Sequence, residues 1–332
     1  MSKFKAIYAQ EIENNLSINL TEIGFNDLPQ EEVLVEVAYS GLNYKDGLAL
    51  NGNKGKVLRK FPMVPGIDFS GTVVESKSNS FVRGDKVLAT GYGLGEKWFG
   101  GYSRFARVKA DWLVSLPDKL DLMQAMAIGT AGFTAMLAVI ELEKKGLTAD
   151  KNSILVTGAG GGLGSIAVAI LSKLGYNVSV SSGRPELKNY LVNLGAKEFV
   201  DRDSLDRDSN LIESSSWKAA IDTVGGKTLA TVISQISPNG SVAVCGNAGG
   251  NSLQTNVLPF LLRGVSLLGI DSVNCNLDLR KVAWQKLSDI LDSDTIESFT
   301  RIISLSNLIE ESKKILEGKV KGRTVVSISE GD

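Results

Sequence analysis

The chain has 332 residues, 43% of them apolar, and a formal net charge of −1. This near-neutral balance predicts neither a nucleic acid nor an anionic membrane as partner. With two cysteines and no histidine, the chain cannot build a disulfide framework, a four-thiolate or histidine-liganded zinc site, or a histidine-based catalytic triad. We therefore expect a metal-free protein.

The location of the protein is expected to be cytoplasmic. The first residues run into a strand pattern without an apolar signal core. No uninterrupted apolar stretch approaches the length of a membrane span, so no membrane association is predicted.

Alternating strand patterns separated by turn signals fill the first part of the chain, which predicts a β-barrel-like domain over residues 1–122. Residues 123–143 are typical of one or two helices, interrupted by Gly129 and Gly132. The predicted strands cover residues 4–9, 16–20, 32–40, 71–75, 86–89 and 102–109.

Strands and helices alternate in the next part, which predicts a doubly wound parallel sheet over residues 123–293. The tail contains a predicted helix over 305–316 and a last strand over 323–328, so residues 294–332 are expected to return to the first domain. The strands of the sheet are predicted at 154–157, 177–181, 198–200, 219–222, 241–244 and 265–268, and the helices at 162–174, 184–194, 226–236, 256–263 and 279–292.

A glycine-dense turn lies between the first of these strands and its helix. Its spacing is Gly158-x-x-Gly161-x-x-Gly164. Such glycines also make ordinary tight turns, but the buried strand before them and the amphipathic helix after them favour a dinucleotide site. There the free N–H groups of a helix N-terminus bind a pyrophosphate. The cofactor candidates in this turn are Gly161, Gly162, Leu163 and Gly164.

The residues after the second strand of the sheet indicate which dinucleotide is bound. An NAD-specific fold places a carboxylate there for the ribose 2′-hydroxyl, whereas this chain has Ser182, Gly183 and Arg184. Hydroxyl groups and a guanidinium suit a 2′-phosphate, and Arg202 after the third strand supplies a second cation. Alternatively, both arginines are ordinary surface residues without a ligand. We predict NADPH as the cofactor.

An N-terminal barrel, a central dinucleotide domain and a returning tail together resemble the medium-chain dehydrogenase/reductase superfamily. Ile67, in the segment 66–73, stands where zinc members carry histidine, and the segment 84–87 matches the Gly-Asp-x-Val turn of that superfamily. The resemblance implies a GroES-like catalytic domain with a Rossmann domain, in the zinc-free quinone-oxidoreductase-like branch. The segments 40–46, 182–184, 220–225, 269–273 and 322–324 are similar to the NADPH-dependent acrylyl-CoA reductases.

That narrower resemblance implies reduction of acrylyl-CoA to propanoyl-CoA. Hydride reaches the β-carbon and a proton the α-carbon, while enolate charge develops on the thioester oxygen. Asn43, Tyr44 and Asp46 are the catalytic candidates, with Tyr44 against the nicotinamide as a proton or hydrogen-bond donor. Alternatively, Tyr44 is a packing aromatic, Lys45 and Asp46 form a surface ion pair, and solvent supplies the proton.

Two further cofactor-binding residues are expected at the nicotinamide end, and two more are implied by the resemblance. Cys245 and Gly246 end the fifth strand of the predicted sheet, where glycine allows close backbone approach, and Cys245 lacks a base to activate it as a nucleophile. Asp271 and Arg323 are assigned by the resemblance alone.

Two features predict partners. Lys54, Lys56, Arg59 and Lys60 carry positive charge that would attract the phosphates of an acyl-CoA substrate, unless they are only a solvated face. The apolar segment 260–270 is predicted to be an edge strand, which would pair with a second copy, so a homodimer is expected. A quinone or enone oxidoreductase and a non-catalytic NADPH-binding protein remain alternative functions.

Overall fold

The computed structural model describes residues 3–13, 15–149 and 153–328. The chain divides into two compact units. The first comprises Met1–Thr130, Val273–Ser288 and Ile296–Asp332, and the second Ala131–Ser272 and Asp289–Thr295. The predicted domain limits after residues 122 and 293 stay a prediction, and the units differ from them chiefly because most of a helix near residue 280 belongs to the first unit.

Most strands and helices occur close to where the sequence predicts them, but the elements at residues 44–50, 113–115, 293–298 and 300–304 were not predicted. The strands are β1 (Lys3–Ile12), β2 (Asn15–Gly24), β3 (Val33–Leu42), β4 (Asp68–Ser76), β5 (Lys86–Thr90), β6 (Phe105–Val108), β7 (Leu113–Ser115), β8 (Ser153–Thr157), β9 (Asn177–Ser181), β10 (Glu198–Val200), β11 (Trp217–Asp222), β12 (Ile236–Val244), β13 (Ser266–Gly269), β14 (Thr300–Ser304) and β15 (Arg323–Ser327). The helices are α1 (Tyr44–Leu50), α2 (Leu122–Lys144), α3 (Gly162–Lys173), α4 (Lys188–Asn193), α5 (Gly226–Ser234), α6 (Leu258–Arg263), α7 (Leu277–Ile290), α8 (Ser293–Ser298) and α9 (Leu308–Leu316).

The first unit contains a two-stranded hairpin of β1 and β2 and a seven-stranded sheet. The order in the larger sheet is β14-β15-β3-β4-β5-β7, with β6 also paired to β3. The buried apolar side chains of this unit form a core that includes Phe69, Met63 and Leu113. The tail strand β15 pairs antiparallel with β3, so the tail forms part of the sheet of the first unit.

The second unit contains a six-stranded sheet in the order β10-β9-β8-β11-β12-β13. Every pairing in it is parallel. This is the doubly wound Rossmann order 3-2-1-4-5-6, and the prediction of that fold is confirmed. The strand order reverses between β8 and β11, and ligands of such sheets bind at the carboxyl ends of the strands beside that reversal.

Helix α2 corrects one expectation. By length and composition it is apolar enough to cross a membrane, whereas no stretch near the length of a membrane span is expected from the sequence. However, 83% of its most apolar window is buried inside the structure. The mostly buried helix is typical of a protein core. Gly129 interrupts it with φ +51°, as predicted, whereas Gly132 continues the helix.

The segment 260–270 is not one strand. Residues Leu258–Arg263 form α6, which begins with proline in its first turn and ends at Gly264 in the left-handed region. Both features are typical helix boundaries. Only Ser266–Gly269 form the edge strand β13.

Candidate active site

The predicted glycine turn forms an open anion cradle at the N-terminus of α3. Gly161 precedes the helix, and no side chain caps the first turn in this described part of the chain. Gly158 adopts φ +59°, and a Cβ on Gly164 would lie 2.4 Å from the Gly158 carbonyl oxygen. Only glycine therefore allows the helix to approach the strand so closely, which leaves the first N–H groups of the helix available to a phosphate.

Gly162 and Leu163 form the first turn of this helix and are half-buried. Their backbone N–H groups are among the first of the helix, which have no partner within the helix itself. The structure thus brings all four predicted residues of the glycine turn together at one helix end.

A second cluster lies just beyond β9. The Arg184 Nη2 donates a hydrogen bond to the Gly160 carbonyl at 2.8 Å, and the Arg184 N–H donates to the Ser182 hydroxyl at 3.2 Å. A Cβ on Gly183 would lie 2.8 Å from Nη1 of Arg202. The Arg202 guanidinium therefore lies against the exposed Gly183, and the Arg184 guanidinium lies on Gly160 in the glycine turn.

Both guanidinium groups have partners within the protein, although Arg184 is half-buried and Arg202 is exposed. Burial lowers the pKa of Arg184, and the neighbouring Glu186 acts against that shift. Arg202 is exposed and pairs with Asp206 at 3.3 Å. Both are long cations with further N–H donors, which suits recognition of a dianionic phosphate.

The strand ends at the reversal of the sheet are joined by a buried carboxylate. Thr157 at the end of β8 donates to Asp222 Oδ1 at 2.6 Å, and the Gly225 N–H donates to Asp222 Oδ2 at 2.8 Å. Burial raises the pKa of Asp222, which is fully buried. These hydrogen bonds hold together the carboxyl ends of β8 and β11, next to the glycine turn.

Cys245 and Gly246 lie next to Asp222 and Thr223 at the end of β11. The Cys245 N–H donates to the Asp222 carbonyl at 2.8 Å, and a Cβ on Gly246 would lie 2.6 Å from the Thr223 carbonyl oxygen. Burial, and then the Asp222 charge, raise the pKa of the Cys245 thiol, so it is a poor nucleophile. Asp271 is exposed, two residues after β13.

In the first unit, strand register brings two predicted site residues together. The antiparallel pairing of β15 with β3 sets Thr324 opposite Leu42. The next residues in line are therefore Arg323 and Asn43, which are 280 positions apart in the chain. The Arg323 Nη1 donates to Asn43 Oδ1 at 3.0 Å.

The Asn43 side chain is fixed on both sides. Its amide nitrogen donates to Asp46 Oδ2 at 3.1 Å and to Asp68 Oδ2 at 3.0 Å, while its oxygen accepts from Arg323. Asn43 is 8% exposed. Its predicted direct contact with a ligand stays a prediction, and the geometry gives the side chain a positioning role.

Asp46 is fully buried beneath the turn that starts α1. Its carboxylate accepts hydrogen bonds from the Asn43 N–H at 3.0 Å and the Ile67 N–H at 3.1 Å. Burial, and then the charge of Asp68, raise its pKa to about 7, against the opposing effect of these hydrogen bonds. The alternative of a surface ion pair between Lys45 and Asp46 is wrong, because Lys45 pairs with Glu96 at 2.8 Å.

Asp68, the first residue of β4, is the centre of the network. It accepts from the Gly41 N–H at 2.8 Å and from both the N–H and the hydroxyl of Thr130 at 2.9 and 2.8 Å. The kink at Gly129 places Thr130 on this carboxylate. Asp68 thus joins β3, β4 and α2.

Arg323 is 3% exposed, and its guanidinium also donates to the carbonyls of Ala127 at 3.0 Å and Met126 at 3.4 Å. A Cβ on Gly41 would lie 2.7 Å from its Nη2 and 2.8 Å from Asp68 Oδ1, so glycine makes room for both groups. Burial lowers the pKa of Arg323, and the Asp68 charge acts against this. Its predicted cofactor contact stays a prediction.

Tyr44 differs from its neighbours because it is 43% exposed. It is the first residue of α1 and directly follows Asn43. The buried network therefore fixes the turn and presents the Tyr44 side chain at the surface of the unit. This geometry disfavours the alternative of a packing aromatic in the core.

Three residues of the network were not predicted as site residues. They are Asp68, Thr130 and Tyr102, whose hydroxyl donates to the Gly41 carbonyl at 2.8 Å. Each is brought to the turn by tertiary contacts across 25 or more positions, so no local spacing in the sequence indicates them. Among the residues that the structure describes, no group of three histidine, cysteine or acidic side chains suits a metal ion.

Comparison with known families agrees with this architecture. Residues 29–118 match the alcohol dehydrogenase GroES-like domain, and residues 162–289 match the zinc-binding dehydrogenase family. The chain is 50% identical to the acrylyl-CoA reductase AcuI of Ruegeria pomeroyi over 93% of each chain. It is 46% identical to the putative quinone oxidoreductase YhfP of Bacillus subtilis over 98% of this chain and 99% of that one.

Solved structures are equally similar. The yhdH oxidoreductase of Salmonella enterica, in complex with NADP, has a TM-score of 0.95 at 44% identity, covering 98% of this chain and 100% of that one. The Bacillus subtilis YhfP structure has NAD bound and a TM-score of 0.94 at 45% identity, with the same coverage. The chain belongs to the medium-chain dehydrogenase/reductase superfamily, in its quinone-oxidoreductase-like branch near AcuI.

Proposed function

We propose that this protein is an NADPH-dependent reductase of the carbon–carbon double bond of a short enoyl-CoA thioester, with acrylyl-CoA reduced to propanoyl-CoA. The observation that carries the cofactor part of the proposal is a pair of guanidinium groups near the end of β9, where an NAD-specific fold keeps a carboxylate. Arg202 lies against Gly183, and Arg184 binds the Gly160 carbonyl. The likeness to AcuI supports the substrate.

The residues of the second unit fit this cofactor. The uncapped N-terminus of α3 suits the pyrophosphate, because Gly161 and Gly164 leave the backbone N–H groups accessible. Arg184, Arg202 and the Ser182 hydroxyl hold the 2′-phosphate. Cys245 and Gly246 line the nicotinamide end, while Asp271 contacts the cofactor from the loop after β13. When bound, NADPH supplies the hydride for the β-carbon of the substrate.

In the first unit the Tyr44 hydroxyl donates a proton to the α-carbon or a hydrogen bond to the enolate oxygen. The negative charge that it meets develops only in the transition state, so the interaction accelerates the reaction rather than tightening ground-state binding. Asn43, Asp46 and Arg323 act as positioning residues that hold the turn.

The experiment that tests this function compares three substrates with NADPH under the same conditions. Acrylyl-CoA, crotonyl-CoA and a benzoquinone are each supplied, and cofactor oxidation is followed. We expect the highest kcat/KM with acrylyl-CoA. A higher value with benzoquinone would instead support a quinone oxidoreductase, which the likeness to YhfP makes the second candidate.

Two further outcomes are informative. The same assays are repeated with NADH, because the YhfP structure has NAD bound. Oxidation of NADH as efficiently as NADPH would contradict the cofactor assignment. Tight NADPH binding without turnover of any of the three substrates would support a non-catalytic NADPH-binding protein.

We also propose a cytoplasmic homodimer that forms through the β13 edge. Four apolar side chains lie exposed there: Val257 at 63%, Leu261 at 73%, Leu262 at 68% and Leu267 at 38%. An open strand edge with apolar neighbours favours pairing with a second copy. Sedimentation should give a dimer for the parent and a monomer for Leu261→Lys/Leu262→Lys, and a monomeric parent would contradict the proposal.

A further inference from the structure

A strongly basic loop follows α1 and has no role in the cradle or the buried network. Its four cations Lys54, Lys56, Arg59 and Lys60, here called the basic loop, are all exposed. None of them contacts a carboxylate in the described part of the chain. Four unneutralised cations within seven residues are unusual for a chain whose formal net charge is −1.

The backbone of the basic loop is held in one shape. The Asn53 side chain donates to the Leu58 carbonyl at 3.0 Å and accepts from the Leu58 N–H at 2.7 Å, so it closes the backbone turn that carries Lys54 and Lys56 and fixes the point from which Arg59 and Lys60 follow. Asn53 and Lys56 adopt left-handed backbone conformations with φ +51° and +52°. Leu58, 3% exposed, anchors the loop in the core. Strained residues that the surroundings fix in this way cluster at ligand sites.

A fifth cation lies next to this loop in the fold although not in the sequence. The Arg59 N–H donates to the Glu96 carbonyl at 2.9 Å, which brings the exposed Lys97 alongside. The Glu96 carboxylate does not neutralise this patch, because it accepts from Lys45 at 2.8 Å. Lys45 directly follows Tyr44, so the same Glu96 segment contacts both the basic loop and the first turn of α1.

We propose that the basic loop binds the phosphate groups of the coenzyme A nucleotide, and thereby selects CoA thioesters over smaller thioesters. The inference rests on the proposed function. α1 has seven residues and a length of about 10 Å, so the loop starts one short helix away from Tyr44. The long pantetheine arm of coenzyme A spans such a separation between thioester and phosphates.

The test compares acrylyl-CoA with acrylyl-pantetheine, which has the same reacting group but lacks the nucleotide. In the variant Lys54→Gln/Lys56→Gln/Arg59→Gln/Lys60→Gln, we expect kcat/KM for acrylyl-CoA to fall about tenfold, since each exposed ion pair contributes roughly 1.4- to 5-fold. The value for acrylyl-pantetheine should stay unchanged. For acrylyl-dephospho-CoA, which lacks the 3′-phosphate but keeps the pyrophosphate, the fall in kcat/KM from the parent to the variant should lie between those for acrylyl-CoA and acrylyl-pantetheine.

A matched control removes one arginine and three lysines that are exposed and make no ion pair with any described residue, in Arg83→Gln/Lys197→Gln/Lys281→Gln/Lys313→Gln. It should behave as the parent with both thioesters. Equal losses in the control and the test variant, or an unchanged preference for acrylyl-CoA in the test variant, would overturn the proposal.

A binding measurement separates this proposal from the proposed reaction. Coenzyme A itself, titrated calorimetrically into the NADPH-bound protein, should bind the parent more tightly than the basic-loop variant, and the difference should shrink at high salt. If no thioester is reduced but this difference is found, the proposed reaction fails and the binding site stands. Equal affinity in both proteins contradicts the site whatever the reaction.

Discussion

The cradle of the second unit and the Asn43–Asp46 turn of the first unit are built from different chemical groups. The cradle relies on backbone N–H groups and glycines, and its Arg184–Gly160 contact spans 24 positions. The turn relies on buried side chains, and its Arg323–Asn43 contact spans 280 positions. Backbone groups remain when side chains change, whereas a buried charge that loses its partner is costly. Substitutions should therefore affect affinity in the cradle, and rate, stability and pH response at the turn.

The largest effect is expected where the turn meets the substrate. Tyr44→Phe should lower the single-turnover rate of acrylyl-CoA reduction by about 10²–10⁴-fold, the usual contribution of a general acid, while NADPH affinity stays nearly unchanged. Tyr8→Phe, which removes another hydroxyl of the first unit, should have the parent rate. A Tyr44→Phe rate within about twofold of the parent would assign proton delivery to water.

The next effect concerns stability. Arg323→Met leaves the buried carboxylates of Asp46 and Asp68 without their nearby cation, and should lower the free energy of unfolding by about 3–5 kcal/mol. Arg301→Met is the matched control, because the Arg301 side chain is 37% exposed in its pair with Glu311 and should contribute about 1 kcal/mol or less. Denaturant unfolding measures both. Equal losses would show that the network has no special stability role.

Asp46 gives the turn a pH dependence that extends to neutral pH. Its pKa rises from an ordinary value of 3.8 to about 7 in the fold, so between these values the folded chain binds more protons than the unfolded chain. The stability contributed by Asp46 is therefore full below about pH 4 and is lost as pH rises through about 7, by at most about 4 kcal/mol.

The measurement is the free energy of unfolding at pH 5 and pH 8 for the parent and for Asp46→Asn. The parent should lose more stability than the variant across this interval, whatever their absolute difference. Parallel pH profiles would show that Asp46 titrates at its ordinary pKa.

The smallest of these effects concerns cofactor choice. Arg184→Ala should weaken NADPH binding by about 1.5–3 kcal/mol, or roughly tenfold to a hundredfold, and leave NADH binding nearly unchanged. Only NADPH carries the 2′-phosphate that this guanidinium meets. Arg207→Ala, which removes an arginine paired with Glu213, should change neither affinity. If Arg184→Ala weakens both cofactors equally, the arginine serves the shared part of the dinucleotide.

The same contrast explains what could be predicted from the sequence. The parallel sheet and the glycine turn follow from local periodicity and spacing, because strand, turn and helix lie within about 20 residues of one another. The sequence also indicates Asn43, Tyr44 and Asp46 by resemblance. The contacts of Asp68 with Asn43 and Thr130 depend on the register of β3, β4 and β15 and on the kink in α2, which no local pattern encodes.

One label-transfer experiment tests the central claim most directly. The protein reduces acrylyl-CoA with NADPH that carries deuterium at the transferable position of its nicotinamide, in ordinary water, and the position of the label in propanoyl-CoA is determined. The proposed reaction puts the deuterium on the former β-carbon, and unlabelled NADPH in D₂O puts it on the former α-carbon. Cofactor-derived label on the α-carbon, or its absence from the product, would contradict the account.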